Sequence, residues 1–170
     1  MKHIPFLVLL WAAPALAAPA EIASVIHAEA PYGKGSYGVL VMTAYDAEIW
    51  TDAKTWSMDG PFALTLRYHM GFSTEDFVNR GLGEMKHVDP ALDADTLKRF
   101  GDAMTKVFPP VKDGDTITAL YQPGQPVKIF HNGALTGEIA DKSFAQPFFG
   151  IWLSPRSSAP SLRAHLLRLK

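Results

Sequence analysis

Three consecutive residues, Arg67, Tyr68 and His69, place polar side chains in a segment with the alternation of a β-strand. Neighbouring residues on a strand point to opposite faces of the sheet, so Arg67 and Tyr68 line different faces. If helices cover the face of Arg67, its guanidinium needs an anionic partner such as a ligand carboxylate. If that face is solvated, Arg67 is an ordinary surface residue. We expect Tyr68 to point inward, because Leu64 and Leu66 share its face and need burial.

Other motifs with catalytic or binding potential are weaker. GKGSYG at residues 33–38 has the spacing G-x-G-x-x-G, but a strand follows it where a nucleotide site needs a helix. We therefore interpret it as a glycine-rich turn. The six histidines are scattered, and residues 84–87 supply a single E-x-x-H, whereas a carboxylate-bridged metal site needs two. These patterns predict no catalytic residue, no metal and no cofactor.

An aromatic segment, SFAQPFFGIWLSP at residues 143–155, raises the question of a pocket. Phe144, Phe148, Ile151 and Trp152 follow the i, i+4, i+7, i+8 spacing of one helix face. A stripe at this spacing predicts core packing first, with a pocket wall as the alternative. The segment lacks flanking basic residues, which argues against a membrane-surface helix.

The elements that must position these residues form a run of strands interrupted by helices. Alternation predicts one long strand over residues 36–50 and further strands over 62–70, 115–121 and 127–131, followed by an Asn-Gly hairpin. Helices are predicted from the cap residues Ser73 and Asp93, and a short terminal helix begins near Pro160. This order predicts an α+β fold with an antiparallel sheet rather than a parallel βαβ fold.

The first 17 residues have the pattern of a secretory signal peptide. Lys2 and His3 precede a short apolar run, and Ala-Leu-Ala at 15–17 is an A-x-A cleavage site, which places the cut between Ala17 and Ala18. The alternative is an uncleaved anchor, which usually has a longer apolar span. We therefore expect residues 18–170 to form one exported domain, periplasmic or secreted.

Composition limits the partners. The chain has 0 cysteines and a formal net charge of −1, so it lacks disulfides and the basic excess of a nucleic-acid-binding protein. No later stretch approaches the ~20 apolar residues of a spanning helix, which predicts no stable membrane insertion.

Taken together, these segments resemble the bacterial chalcone isomerase-like proteins. The matching pieces run from GKGSYG and VMTAYDAEIW through FALTLRYHM, GLGEM and VKDGDTITALYQPG to FFGIWLSP and LRAHLL, about residues 33–169. The resemblance implies an open-faced β-sandwich, a large antiparallel sheet covered on one face by helices with a ligand cleft between them.

Plant enzymes of this fold close a chalcone into a flavanone, while relatives bind fatty acids without catalysis. Thr43 resembles the strand threonine of the enzymes, and Asn79 resembles their asparagine. The tyrosine expected seven residues before that asparagine is Phe72 here, and Lys34 and Ser36 stand where an arginine is expected. Two of the four expected groups are missing, so the resemblance does not imply isomerase activity.

We therefore predict an exported, non-catalytic domain that binds a small apolar or amphipathic molecule such as a fatty acid. The ligand-binding candidates are Thr43, Tyr45, Arg67, Tyr68 and Asn79. One alternative is an isomerase or lyase acting on a small phenolic or enone substrate around Arg67, Tyr68 and Asn79. The other is a structural or interaction protein without a ligand. A cavity between sheet and helices, with polar groups at one end, would argue against this last alternative.

Overall fold

The computed structural model describes residues 17–170, which form six strands and four α-helices. Most of the predicted signal peptide, residues 1–16, lies outside the described residues. The strands are β1 (Gly33–Val39), β2 (Met42–Trp50), β3 (Phe62–Tyr68), β4 (Thr116–Tyr121), β5 (Val127–His131) and β6 (Ala134–Ile139). Every strand pairs antiparallel with the next along the chain, in the sheet order β1-β2-β3-β4-β5-β6. The predicted antiparallel sheet is confirmed.

The helices are α1 (Thr74–Val88), α2 (Ala94–Val107), α3 (Ala145–Leu153) and α4 (Pro160–Leu167). Ser73 caps α1 as predicted: its hydroxyl accepts from the backbone N–H of Asp76 at 3.1 Å. The Asp76 carboxylate accepts in return from the backbone N–H of Ser73 at 2.7 Å. Asp93 caps α2 by accepting from the N–H of Thr96 at 2.7 Å. Capping of this kind fixes where α1 and α2 start.

The segment predicted as one long strand, residues 36–50, is instead two strands joined by a tight turn. β1 and β2 form a hairpin in which Val39 pairs with Met42, so only Leu40 and Val41 form the loop. Leu40 has a φ of 59°, in the left-handed region that non-glycine residues adopt infrequently. The prediction was wrong because neither Gly, Asn nor Pro marks this turn and the apolar run continues through it.

The glycines of GKGSYG lie in β1 rather than in the predicted turn, and they serve packing. Helix α4 lies directly against β1. A Cβ on Gly33 would stand 2.0 Å from the carbonyl oxygen of Leu166, and one on Gly35 would stand 2.9 Å from Leu162. A side chain at Gly33 would therefore collide with the backbone of α4, which accounts for glycine at this position.

The two faces of the sheet are covered differently. The helices pack on the face that carries Leu64 and Leu66, which confirms the predicted open-faced sandwich. The opposite face is covered in part by an N-terminal segment, residues 18–28, which includes a short 3-10 helix at Ala20–Ile22. Ile22 and Ile26 of this segment are buried against that face. The core therefore has a large cluster under the helices and a small cluster under the N-terminal segment.

Candidate functional site

A cavity of about 420 Å³ lies between the helix-covered face of the sheet and the helices. Small-molecule sites in proteins typically enclose roughly 300–1,000 Å³, so the space suffices for one ligand. Its floor comes from β2, β3 and β4, and its roof from α1, α2 and α3. The lining is largely aliphatic and aromatic, which favours an apolar ligand body.

Strand alternation builds the floor. Leu64, Leu66 and Tyr68 of β3 are buried on one face, while Arg67 between them is exposed on the other. Ala119 of β4 pairs with Leu64 in register. Its short side chain leaves space above the middle of the sheet. The cavity is thus a direct product of the alternation together with small residues at central positions.

The aromatic segment supplies part of the roof. Phe148, Ile151 and Trp152 of α3 line the cavity, while Phe144 is fully buried in the core. Trp152 is 9% exposed, so the prediction of core packing is confirmed. The segment therefore packs into the core on one side and forms a wall of the pocket on the other. Core packing and the alternative of a pocket wall both apply to it.

A hydrogen bond joins roof to floor. The indole Nε1 of Trp152 donates to the hydroxyl oxygen of Tyr45 at 3.1 Å. Burial raises the pKa of Tyr45 to about 12, although the hydrogen bond from Trp152 and the positive charge of Arg80 oppose the increase. Tyr45 is therefore protonated at neutral pH. Because its oxygen accepts from Trp152, its own O–H remains available to donate to a ligand.

A second hydroxyl beside it belongs to Tyr68. Tyr68 is 3% exposed, and burial raises the pKa of its phenol well above the usual value. Its ring meets that of Tyr45 edge-on, with centroids 5.8 Å apart. Buried tyrosine hydroxyls usually have a hydrogen-bond partner. Tyr68 lines the cavity, where a ligand oxygen can serve as that partner.

Charged residues of α1 stand at the opening of the cavity. Asp76, Arg80 and Glu84 are spaced by four residues on one helix face, and all three belong to the lining. Asp76 is engaged by the cap residue Ser73, whose backbone N–H is the largest cause of its lowered pKa. Glu84 accepts from the hydroxyl of Ser158 at 2.7 Å.

Arg80 is the one cation among these lining residues, and it forms no ion pair within the described part of the chain. Its charge is close enough to Tyr45 to lower the pKa of that phenol. A guanidinium and a phenolic O–H are thus both available at one end of the cavity. Such a pair can hold an anionic or strongly accepting ligand group.

The structure brings together two of the five predicted site residues. Tyr45 and Tyr68 line the cavity, whereas Thr43, Arg67 and Asn79 are exposed and do not line it. Tyr68 points inward as expected. Arg67 is exposed on the opposite side of the sheet, which is the alternative in which it is a surface residue.

The sequence interpretation missed Arg80. It lies four residues after the cap partner Asp76, and no local motif distinguishes it from a solvated helix residue. The sequence pattern also predicts Leu40 and Met42, the apolar residues at the opening, to lie within a continuous strand, so it gives no sign of their place at the cavity. The role of these three residues follows only from the three-dimensional arrangement, in which the hairpin and α1 border the same cavity.

Residues 17–170 contain no cluster of three or more His, Asp or Glu side chains arranged to hold a metal ion. Over the same range, none of the helices is both long enough and apolar enough to cross a bilayer.

The chain is similar to known proteins both in sequence pattern and in fold. A family model described as chalcone isomerase-like matches residues 39–168. The solved structure of a fatty-acid binding protein from Arabidopsis thaliana superposes with a TM-score of 0.61 at 11% sequence identity. The superposition covers 81% of this chain and 86% of that chain, and it shows a shared fold. No curated protein sequence matches the chain.

Proposed function

Because the chain belongs to the chalcone isomerase-like family, we propose that it binds a small amphipathic molecule, such as a fatty acid, without catalysing its conversion. One observation carries the proposal: the cavity of about 420 Å³ is largely apolar and has a free guanidinium and tyrosine hydroxyls at one end. The name of the Arabidopsis protein, which has the same fold, supports a fatty acid as the first ligand to test. The cavity is also the reason to prefer binding over an interaction protein without a ligand.

The ligand head binds at the opening in this proposal. A carboxylate placed between Arg80 and the O–H of Tyr45 would form charge-assisted hydrogen bonds. Deeper in the cavity the lining is aliphatic and aromatic, so an unpaired carboxylate there would be costly. The apolar tail therefore runs inward over Leu64 and Leu66.

Binding is preferred to catalysis because the cavity lacks a base poised near neutral pH at its centre. Tyr45 and Tyr68 both have raised pKa values, so they are hydrogen-bond donors there. Thr43 and Asn79, the two residues that resemble the enzymes' polar groups, do not line the cavity. An isomerase or lyase would need these groups beside its substrate.

Calorimetric titration of the delipidated protein with hexadecanoic acid tests the proposal. We expect binding by the natural protein and roughly tenfold weaker binding by Arg80→Gln, because one charge-assisted contact is lost. The matched control is Arg67→Gln, which removes an exposed arginine from the other sheet face and leaves affinity unchanged. Absence of binding for dodecanoic, hexadecanoic and octadecanoic acids alike would contradict the proposal.

A neutral analogue separates the contribution of the carboxylate head group to the affinity from that of the apolar tail. Hexadecanol has the same tail and no carboxylate, so Arg80→Gln should change its affinity less than that of hexadecanoic acid. Equal effects on both ligands would mean that Arg80 supports the fold of the opening and does not contact the head. Native mass spectrometry of protein purified from its own host would identify the natural ligand.

We also propose that the protein is exported to the periplasm or secreted. The support is the sequence pattern of residues 1–17, with its A-x-A site. Amino-terminal sequencing of the protein from its host should begin at Ala18. A mature chain that still begins at Met1 would contradict export by this route.

A further inference from the structure

The tip of the β1–β2 hairpin exposes three consecutive apolar side chains. Leu40, Val41 and Met42, here called the hairpin tip, are 99%, 99% and 59% exposed. Among residues 17–170, the remaining large apolar side chains with such exposure are Leu135 and Leu169, which stand singly. Isolated exposed apolar residues are common, whereas a contiguous group indicates an interaction surface.

Neither turn geometry nor core packing explains the residue types at the tip. A two-residue hairpin loop favours Gly, Asn or Asp, since at least one position has a positive φ. Leu40 has a φ of 59° despite its branched side chain, and Val41 completes the loop. Proteins carry residue types that the local backbone disfavours mostly at functional or strained sites. The tip residues therefore require a reason outside the folded domain.

The hairpin tip is continuous with the cavity. Leu40 and Met42 belong to the lining at its opening. Tyr37 and Tyr45, which pair across the same hairpin, stack at 5.3 Å between ring centroids. The half-buried Tyr37 lies near the apolar tip, and tyrosine favours the headgroup level of a bilayer surface.

We propose that the hairpin tip docks reversibly on a lipid bilayer and holds the cavity opening against the membrane. The choice of a lipid surface rests on the proposed function, because an amphipathic ligand is drawn from or delivered to lipid. Three side chains are far fewer than the ~20 residues that span a bilayer, so this contact agrees with the prediction of no stable membrane insertion.

The charges at the opening indicate which lipid surface fits. Asp76 and Glu84 outnumber Arg80, and the whole chain has a formal net charge of −1. Docking therefore depends on apolar insertion and not on attraction to anionic headgroups. Vesicles of zwitterionic phosphatidylcholine suffice, and added salt does not weaken the association.

Co-sedimentation with phosphatidylcholine vesicles tests the proposal, using the double variant Leu40→Gly with Val41→Asn. Of the two loop residues only Leu40 has a positive φ, and glycine is favoured at that position of a two-residue hairpin loop, so the variant keeps the fold and should not lower the thermal midpoint. We expect its apparent vesicle affinity to decrease by about tenfold or more. The matched control is Leu135→Asn, which removes an exposed apolar side chain from β6 and should leave vesicle binding unchanged.

The outcomes separate docking from ligand binding. If the natural protein binds hexadecanoic acid in solution but not vesicles, docking is wrong and the cavity proposal stands. If it binds vesicles through the tip but binds no fatty acid, docking stands and the ligand proposal fails. Vesicle binding that survives the double variant, or that high salt abolishes, contradicts docking by this tip. Self-association through the tip, detected by sedimentation velocity and abolished by the double variant, without vesicle binding, also contradicts it.

Discussion

At the scale of single residues, the contact between Trp152 and Tyr45 connects the helical layer to the sheet above the cavity. Trp152→Ala removes a large buried side chain, and we expect a loss of about 3–5 kcal/mol of unfolding free energy. Trp152→Phe keeps an aromatic ring but loses the hydrogen bond, and should cost about 1 kcal/mol from that bond alone. Denaturant unfolding measures both. An unchanged midpoint for Trp152→Ala would mean that α3 contributes little to the core.

Asp115 gives the fold a specific sensitivity to acid. Hydrogen bonds from the Asn132 amide first, then from the Lys112 backbone N–H and His131, lower the pKa of Asp115 from 3.8 to about 2. An unfolded chain has an aspartate pKa of about 3.9, so the folded state binds fewer protons between these values. The contribution of Asp115 to stability is therefore full above about pH 4 and is lost as the pH falls toward 2.

The check is unfolding free energy against pH for the natural protein and for Asp115→Asn. The variant should be less stable near neutral pH, because Asn cannot reproduce the accepting carboxylate, and its stability should fall less steeply below about pH 4. Parallel curves for the two proteins would show that other carboxylates dominate the acid response.

Residue placement was predictable where burial dictates it and not where packing between elements does. Tyr68 could be placed inward because Leu64 and Leu66 share its strand face and cannot all be exposed. Arg80 could not be found, because several directions around α1 are solvated and only the position of the helix on the sheet selects one. Asn79, its neighbour, resembled a site residue yet points away from the cavity.

At the scale of secondary structure elements, the close approach of α4 to β1 leads to a test with a built-in control. Gly33→Ala places a Cβ 2.0 Å from the Leu166 carbonyl oxygen, so α4 must shift, and we expect a loss of about 1–3 kcal/mol or more. Gly83→Ala on α1 meets no atom within 4 Å and should gain about 0.5–1 kcal/mol from helix propensity. Thermal unfolding of both variants measures the contrast. Equal stability of both would contradict the described α4 packing.

Capping residues and hairpin signals made most elements predictable, and their absence explains the main error. Ser73 and Asp93 begin helices in both sequence and structure, because their side chains satisfy free backbone N–H groups. The β1–β2 turn has no such signal, since Leu40 and Val41 continue the apolar alternation. A turn that uses apolar residues at its loop cannot be distinguished from a strand interior by pattern alone.

At the scale of the whole molecule, the arrangement of polar groups leads to a prediction about activity. Purified protein should not accelerate the cyclisation of a chalcone above the rate in buffer, measured by absorbance. Phe72 lacks the hydroxyl expected there, and Thr43 and Asn79 do not line the cavity. Acceleration that is abolished by Thr43→Ala or Asn79→Ala would contradict this prediction and favour the isomerase alternative. Loss on Tyr45→Phe instead would place the chemistry inside the cavity.

The architecture was predictable because the sheet is built from neighbours in sequence, so each pairing follows from two adjacent strand patterns. The N-terminal segment was not predicted. Only two of its side chains, Ile22 and Ile26, are buried. It is also held by a residue far away in sequence, because the hydroxyl of Thr118 donates to the Glu21 carboxylate at 2.9 Å. Two buried side chains give no periodicity from which such a contact could be inferred.

The contact between β1 and α4 also bears on the order in which the elements of the protein fold. Strand pairing joins neighbours in sequence and can proceed as the chain emerges, whereas β1, the first strand of the sheet, contacts α4, which follows all six strands in the chain. Until α4 arrives, the surface of β1 around Gly33 and Gly35 stays uncovered on a partly assembled sheet. Such intermediates expose strand edges and apolar surface, which is the condition for aggregation. A chain that stops before Pro160 would therefore be trapped at this stage and become a target for chaperones and proteases.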